Sequence, residues 1–362
     1  MVRNLKKIFI FYFVIFIFAL LFFTLQAKAK VTGECYNCHT MHNSQGGQPM
    51  TFNNASNPVS LLLRGTCLGC HGQNPSGGQY IIGNIPQVLH ASSTTDLPAG
   101  NFAYITGNKP LQNADFNTAG HNVIDLGVHQ ETTLTSPPGD INNTGITNTN
   151  FTCAGTYGCH GDRTIQDPYT AMRGAHHTDD SPLKFGSINL SGQGDTVGTS
   201  YRFLKGVKGG EVSWSNYPTP PYDHNEYYGD TTPGTSSATA PANNTISGLC
   251  AECHGAFYGS TNVGSSSPWL RHPTDTVLPN AYEYANYTTY SVVAPVARTS
   301  SWSGWSASSP STTVTPGSDV IMCLSCHYAH ASPYFKSMRW DYKGWPGSGG
   351  TNGCNVCHTK KN

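Results

Sequence analysis

Twelve cysteines stand in six pairs, and a histidine directly follows each pair. Five pairs read C-x-x-C-H: Cys35, Cys38, His39; Cys67, Cys70, His71; Cys250, Cys253, His254; Cys323, Cys326, His327; Cys354, Cys357, His358. The remaining pair is wider, Cys153 and Cys159 followed by His160. Two thiols at the short spacing can form thioethers with the two vinyl groups on one edge of a porphyrin, and the adjoining His then reaches beneath the ring to bind iron as the proximal ligand. Zinc sites also use cysteine pairs, but they do not ask for a His after every second Cys. A disulfide framework suits an exported chain, yet it gives that His no task. Thioredoxin-like redox motifs need a βαβ setting that this sequence lacks. With the wide pair counted, every cysteine is used, and six covalently bound haem c groups are expected.

A haem iron takes a second axial ligand, and the remaining histidines can supply it. Of fifteen His, nine are not proximal: His42, His90, His121, His129, His176, His177, His224, His272 and His330. Six are enough if every iron is held by two imidazoles, whereas the six methionines keep no register with the motifs. Methionine ligation would raise reduction potentials; saturation by two His points to low-potential electron transfer rather than ligand activation. His42 lies three residues after His39, and His330 three after His327. On a helix each pair would share a face, but axial ligands approach one iron from opposite sides, so each of these His must serve a different haem. Such crossed ligation ties distant segments together.

Regular secondary structure does little of the positioning. The chain carries 39 Gly and 23 Pro, with only 11% charged residues. This composition favours turns, and by itself would offer too little apolar surface to offset conformational entropy. The expected fold is therefore a mostly irregular multihaem cytochrome c with a few short helices and minimal strand, the haems forming the core. Short helices are expected at the attachment motifs and over residues 56–64 (SNPVSLLLR), with a short strand over residues 287–296. Residues 231–244 and 300–318 read as loops, and Trp302, Trp305, Trp340 and Trp345 as packing for porphyrins and subunit contacts.

The motifs spread over residues 30–362, which read as a single hexahaem domain. Before them, a basic start (Arg3, Lys6, Lys7), a long apolar run and Ala27-Lys28-Ala29 read as a signal peptide over residues 1–29, cleaved after Ala29. That leader holds four of the 20 Lys and Arg and none of the 20 acids, so the mature chain carries 16 basic against 20 acidic residues, a net −4. Such a balance does not suit nucleic acid. After the leader is removed, no stretch is long and apolar enough to span a membrane.

Several stretches carry a resemblance, in one order: ECYNCHTMHNSQGG over residues 34–47, the Cys67 motif with Leu89-His90 and Leu97-Pro98-Ala99-Gly100, Gly120-His121-Asn122, Leu270-Arg271-His272-Pro273, CLSCHYAHAS over residues 323–332, and the C-terminal motif. Together they resemble the OmcS-type hexahaem outer-surface cytochromes of metal-reducing bacteria, which polymerise into extracellular nanowires. The resemblance covers the motif-bearing regions of residues 30–362, while the loops between differ and this chain is shorter. It implies that His90, His121, His272 and His330 are distal ligands and that His42 coordinates a haem of the next subunit. The family has a short third motif with a second His close behind; here the pair is widened, and one of His176 and His177 is expected to supply that ligand. His129, His224 and the other of the pair are then ordinary surface or hydrogen-bonding residues.

The expected function is extracellular electron transfer without a transformed substrate, in a conductive head-to-tail filament. Expected partners are copies of the chain itself, redox partner cytochromes and extracellular electron acceptors. Export would run through the periplasm to the cell exterior or outer surface. The alternatives are a monomeric periplasmic or outer-surface carrier, and a nitrite- or hydroxylamine-type oxidoreductase, which would need an open axial position.

Overall fold

Turn formers dominate the chain, and the backbone follows them. The computed structural model describes residues 34–51, 57–92, 95–128, 131–177, 191–212, 224–231, 241–258, 272–306, 310–344 and 352–360. The leader expected at residues 1–29, His129 and Trp345 lie outside the described residues. Among these, α-helices are short: α1 (Cys67–His71), α2 (Pro168–Ala171), α3 (Ile246–His254) and α4 (Cys354–Cys357). Three of the four carry attachment motifs. Thr66 and Thr245 cap α1 and α3, accepting from Gly69 N and Gly248 N, and a Gly follows the motif His in each case, where the helix stops.

The strands are two or three residues long. β1 (Ser44–Gln45) pairs with β2 (Gln48–Pro49), and β3 (Ile81–Ile82) with β4 (Ile85–Pro86), each an antiparallel hairpin. β5 (Gly209–Gly210), β6 (Glu226–Tyr228), β7 (Thr276–Val277), β8 (Ala297–Arg298) and β9 (Val320–Ile321) form one mixed sheet in the order β5-β6-β8-β9-β7. The strand expected over residues 287–296 is absent: that segment is coil with a single bridge, Thr289 to Thr313, and the strand begins only at Ala297. The helix expected over residues 56–64 is also absent from its described part. Instead Ser60–Leu62 make one 3-10 turn with Leu61 and Leu62 at φ 59° and 56°, a left-handed conformation that costs a non-glycine residue and needs support from its surroundings.

Three apolar clusters border attachment cysteines. Tyr201, Leu204, Val207, Ile246 and Met322 pack with Cys159 alongside; Leu89, Phe102, Ile105 and Ala119 with Cys153; Leu278, Tyr287, Tyr290 and Val296 with Cys357. Between the first and third, the mixed sheet buries a charged group. Arg298, 1% exposed, bonds Glu226 Oε2 at 3.1 Å, the Asp319 carboxylate and the Thr313 carbonyl at 2.8 Å. Burial pushes the Glu226 carboxyl up to about 7, although Arg298 pulls it down.

Removing only the cation would leave two carboxylates buried without compensation. Arg298→Met is expected to cost about 3–5 kcal/mol, read as a lower denaturant midpoint for loss of the far-ultraviolet circular dichroism of the protein.

Candidate haem sites

The attachment motifs share one backbone device. In the first and fifth, the carbonyl of the leading Cys accepts two N–H groups: Cys35 O takes Cys38 N at 3.2 Å and His39 N at 2.8 Å, and Cys323 O takes Cys326 N at 3.2 Å and His327 N at 3.0 Å. The wide pair reproduces it, with Cys153 O taking Cys159 N at 3.2 Å and His160 N at 3.0 Å. Its surplus residues are looped out. Gly158 N donates to Gly155 O, Thr152 N to Tyr157 O and Gly155 N to His160 O. The bulge needs its glycines: Gly155 sits at φ 82°, and a Cβ on Gly158 would stand 2.5 Å from Ala154 N and 2.6 Å from Thr152 O. The wide spacing therefore presents two thiols and a His as the short one does.

Each proximal His commits Nδ1 and leaves Nε2 for a metal. The acceptors are the carbonyls of Leu61 for His39 (3.1 Å), Pro86 for His71 (2.9 Å), Arg202 for His160 (3.1 Å), Pro138 for His254 (2.8 Å) and Lys336 for His327 (2.8 Å). His358 instead donates to the Glu283 carboxylate at 2.9 Å. Three of these acceptors belong to a repeated brace. Leu61–Leu62, Arg202–Phe203 and Lys336–Ser337 all have positive φ, between 50° and 60°. In each, the first carbonyl takes the His ring, and the second takes the N–H of the residue after it: Leu62 O from Thr40, Phe203 O from Gly161, Ser337 O from Tyr328. The brace marks the first, third and fifth motifs. Its sequence trace is an apolar residue then a basic one just beyond the turn, Leu63-Arg64, Leu204-Lys205 and Met338-Arg339, too faint for sequence reasoning to have found.

Opposite five proximal His stands a second imidazole. Ring centroids are 6.1 Å apart for His39 and His177, 6.3 Å for His71 and His176, 6.3 Å for His160 and His330, 6.0 Å for His254 and His121, and 6.4 Å for His358 and His272. Two imidazole–metal bonds of about 2 Å, with about 1 Å from each nitrogen to its ring centre, require ~6 Å. The gap thus fits an iron between the rings. Burial holds His160 and His176 down to about 4 and His330 to about 3. It lowers His71, His121, His254, His272 and His327 as well. A neutral imidazole is the form a metal binds. Burial pushes the thiols of Cys253, Cys326 and Cys357 up to about 12, the reverse of an activated nucleophile.

The two central distal His are set by a crossing of three segments. His330 N donates to Ala99 O at 2.7 Å, His121 N to His330 O at 2.9 Å, Asn101 N to Ala331 O at 3.0 Å and Ser332 N to Ala119 O at 2.9 Å. His121 adds its own Nδ1 donation to Ala329 O. The Leu97-Pro98-Ala99-Gly100 stretch thus supplies a backbone acceptor that holds His330.

Successive motifs are also neighbours in space. The Cys67 and Cys153 thiols lie close enough to shift one another, as do those of Cys250 and Cys323. Cys38 helps raise Cys70, Cys159 helps raise Cys253, and Cys357 helps raise Cys326.

Two of the expected placements differ. Both His176 and His177 face a proximal His, where one was expected to. His90 does not face one; it is fully buried beside Tyr80, its Nδ1 accepting from Ser92 N and its carbonyl from Asn101. Among the described residues no imidazole faces His327 at this spacing, and His42, three residues past His39, is exposed. His224 is stacked on Tyr290 at 3.5 Å, with both ring nitrogens against the carbonyls of Asn225 and Ser311.

No family model matches the chain. It is 26% identical over 368 residues to the C-type cytochrome OmcS of Geobacter sulfurreducens, covering 85% of this chain and 78% of that protein. Two solved structures of the same organism's protein, the OmcS nanowires by cryo-EM and the outer membrane cytochrome S filament, align at 20% identity and a TM-score of 0.48. They cover 86% and 87% of this chain and 84% and 85% of theirs. The chain is thus similar in sequence to an OmcS-type cytochrome along most of its length.

The bulge in the wide motif gives a direct check. If the six motifs carry haem as the sequence predicts, Gly158→Ala is expected to prevent attachment at Cys153 and Cys159 alone, lowering the intact mass of the protein by one haem.

Proposed function

We propose, from this likeness and from the imidazole pairs, that the chain is an electron-transfer protein holding six haem c groups, each joined to one cysteine pair. The axial pairs would be His39 with His177, His71 with His176, His160 with His330, His254 with His121 and His358 with His272. The observation that carries the reading is the recurrence of one 6.0–6.4 Å ring spacing at five of the motifs. Haem supplies the redox-active iron; the chain's own residues orient the imidazoles, exclude water and fix the spacing. The contacts between consecutive cysteine pairs support a path in sequence order, from the Cys35 site to the Cys354 site.

His327 is the proximal residue without a partner in its own chain among the described residues. His42 is an exposed imidazole on a well-held turn: Asn43 N donates to Thr40 Oγ1, and Asn43 Oδ1 accepts from Met50 N and Thr51 N. Beside it, Tyr36 is 64% and Met41 79% exposed, an apolar setting suited to a protein contact. We read His42 as completing the His327 site of a second copy, so that copies join head to tail and the haem row continues between them. Residues 1–29 act as the export signal, and the mature filament works outside the cell, passing electrons to partner cytochromes and extracellular acceptors. A second reading has the same observation in its favour: an unpaired His327 is the open position that a nitrite- or hydroxylamine-type oxidoreductase would use.

His42→Ala separates the readings. For the polymer, the variant keeps six attached haems by mass, forms no filaments in negative-stain electron microscopy, and gains one high-spin haem in its absorption spectrum. Filaments that persist in this variant would sink the intersubunit reading; a high-spin haem already present in the unaltered filament would favour the oxidoreductase.

A further inference from the structure

Of the six proximal His, five share their Nδ1 proton with a neutral backbone carbonyl and one, His358, shares it with a carboxylate. That carboxylate, Glu283 Oε1, lies 2.9 Å away on the 3-10 turn Tyr282–Asn286. Its residue is 8% exposed and held from both sides. Thr359, next to His358, donates from Oγ1 to Glu283 O at 2.8 Å, and Asn286 Nδ2 donates to Thr359 Oγ1 at 3.0 Å. The Tyr284 ring stands edge-on to His358 at 5.1 Å.

A carboxylate acceptor draws the Nδ1 proton away from the ring and makes the imidazole a stronger donor to its metal. Its charge also sits close to the iron position. Both effects favour the oxidised iron, and second-shell hydrogen bonding is one of the levers that sets haem potentials. We propose that Glu283 holds the reduction potential of the C-terminal haem below the value a carbonyl partner would give, a setting that the other five proximal His do not share. The inference rests on the reading of Cys354, Cys357 and His358 as a haem site. Its consequence is directional: the terminal haem is harder to reduce than it would be with a carbonyl acceptor, which disfavours electrons resting at that end of the row.

The test is an electrode titration of the secreted, haem-loaded protein, each iron taking one electron from the electrode, with the haem count fixed beforehand by intact mass. Glu283→Gln keeps the shape and a neutral oxygen acceptor, as at the other sites. One of the six one-electron components is expected to rise by about tenfold in its reduction equilibrium, ~59 mV for one electron, while five stay in place. Glu283→Asp, which keeps the charge, is expected to move the same component less than Gln does. Six loaded haems with no component shifted in the Gln variant would overturn the proposal. So would an Asp shift as large as the Gln shift, or a Gln variant that sheds the terminal haem, since Glu283 would then be a structural support. A mass showing fewer than six haems in the unaltered protein would instead refute the haem reading itself.

Discussion

The distance between facing imidazoles is the constraint that the rest of the structure serves. For a metal to sit between them, two rings must stand near 6 Å apart, and neither can drift far. Most of the chain's backbone hydrogen bonds near the sites act to that end: they fix the ring through Nδ1 and fix the chain on either side of it. A helix or sheet could do this only where its period happened to match. Short turns with individually chosen carbonyls can do it anywhere, which is why a chain so rich in Gly, Pro, Ser, Thr and Asn still places its His accurately. The conformational cost of such a chain is high, and the metal–ligand bonds expected at each site are the compensation, because each crosses between segments far apart in sequence. His39 with His177 and His121 with His254 are examples, separated by more than a hundred residues.

The repeated brace shows how local strain is held in service of that distance. Leu61, Leu62, Arg202, Phe203, Lys336 and Ser337 occupy a region that non-glycine residues avoid. A glycine would relieve the backbone, but it would also loosen the one carbonyl that orients the ring and the neighbour that locks the following residue. The strain persists because both carbonyls are used. The first, third and fifth motifs carry the brace. The second and fourth use α-helical motifs with a proline carbonyl, and the sixth a helical motif with a carboxylate. Haem sites of two constructions thus alternate along the chain, a regularity that belongs to three-dimensional pairing and leaves almost no mark on the sequence.

What the sequence carries is the covalent chemistry. Cysteine spacing and the adjoining His name the attachment sites without any knowledge of fold, since vinyl groups and iron lie at fixed positions on one rigid ring. The coil-dominated architecture follows from composition for the same reason: too few residues favour long periodic elements. Distal ligands are a different matter. Nothing in the residues around His176, His177 and His90 tells which will face a proximal ring, because the answer depends on how the segment after Cys159 returns to the first two motifs. That return sets two adjacent imidazoles, His176 and His177, at neighbouring sites, while His90 takes a buried position beside Asn101. The residues 287–296 mislead for a related reason: their apolar, β-branched content reads as a strand, yet Tyr287, Tyr290 and Val296 are buried against the last motif as coil.

The asymmetry of the two ends has its own logic under the proposed assembly. A row of sites that was complete within one chain would leave copies to associate through side-chain contacts alone, and the spacing between the last site of one copy and the first of the next would depend on how well those contacts were kept. An imidazole lent by the neighbour removes that freedom, because a metal bond sets the distance and the angle at once. The lending group must then be rigid before binding, or the ordering cost would fall on assembly. His42 meets this requirement: it sits between His39, whose ring and backbone are fixed by Leu61 and Cys35, and the Asn43 turn that leads into the β1–β2 hairpin. Under that assembly, the same turn that holds the first site would present the ligand for another, and loading of the first site would be coupled to competence to assemble.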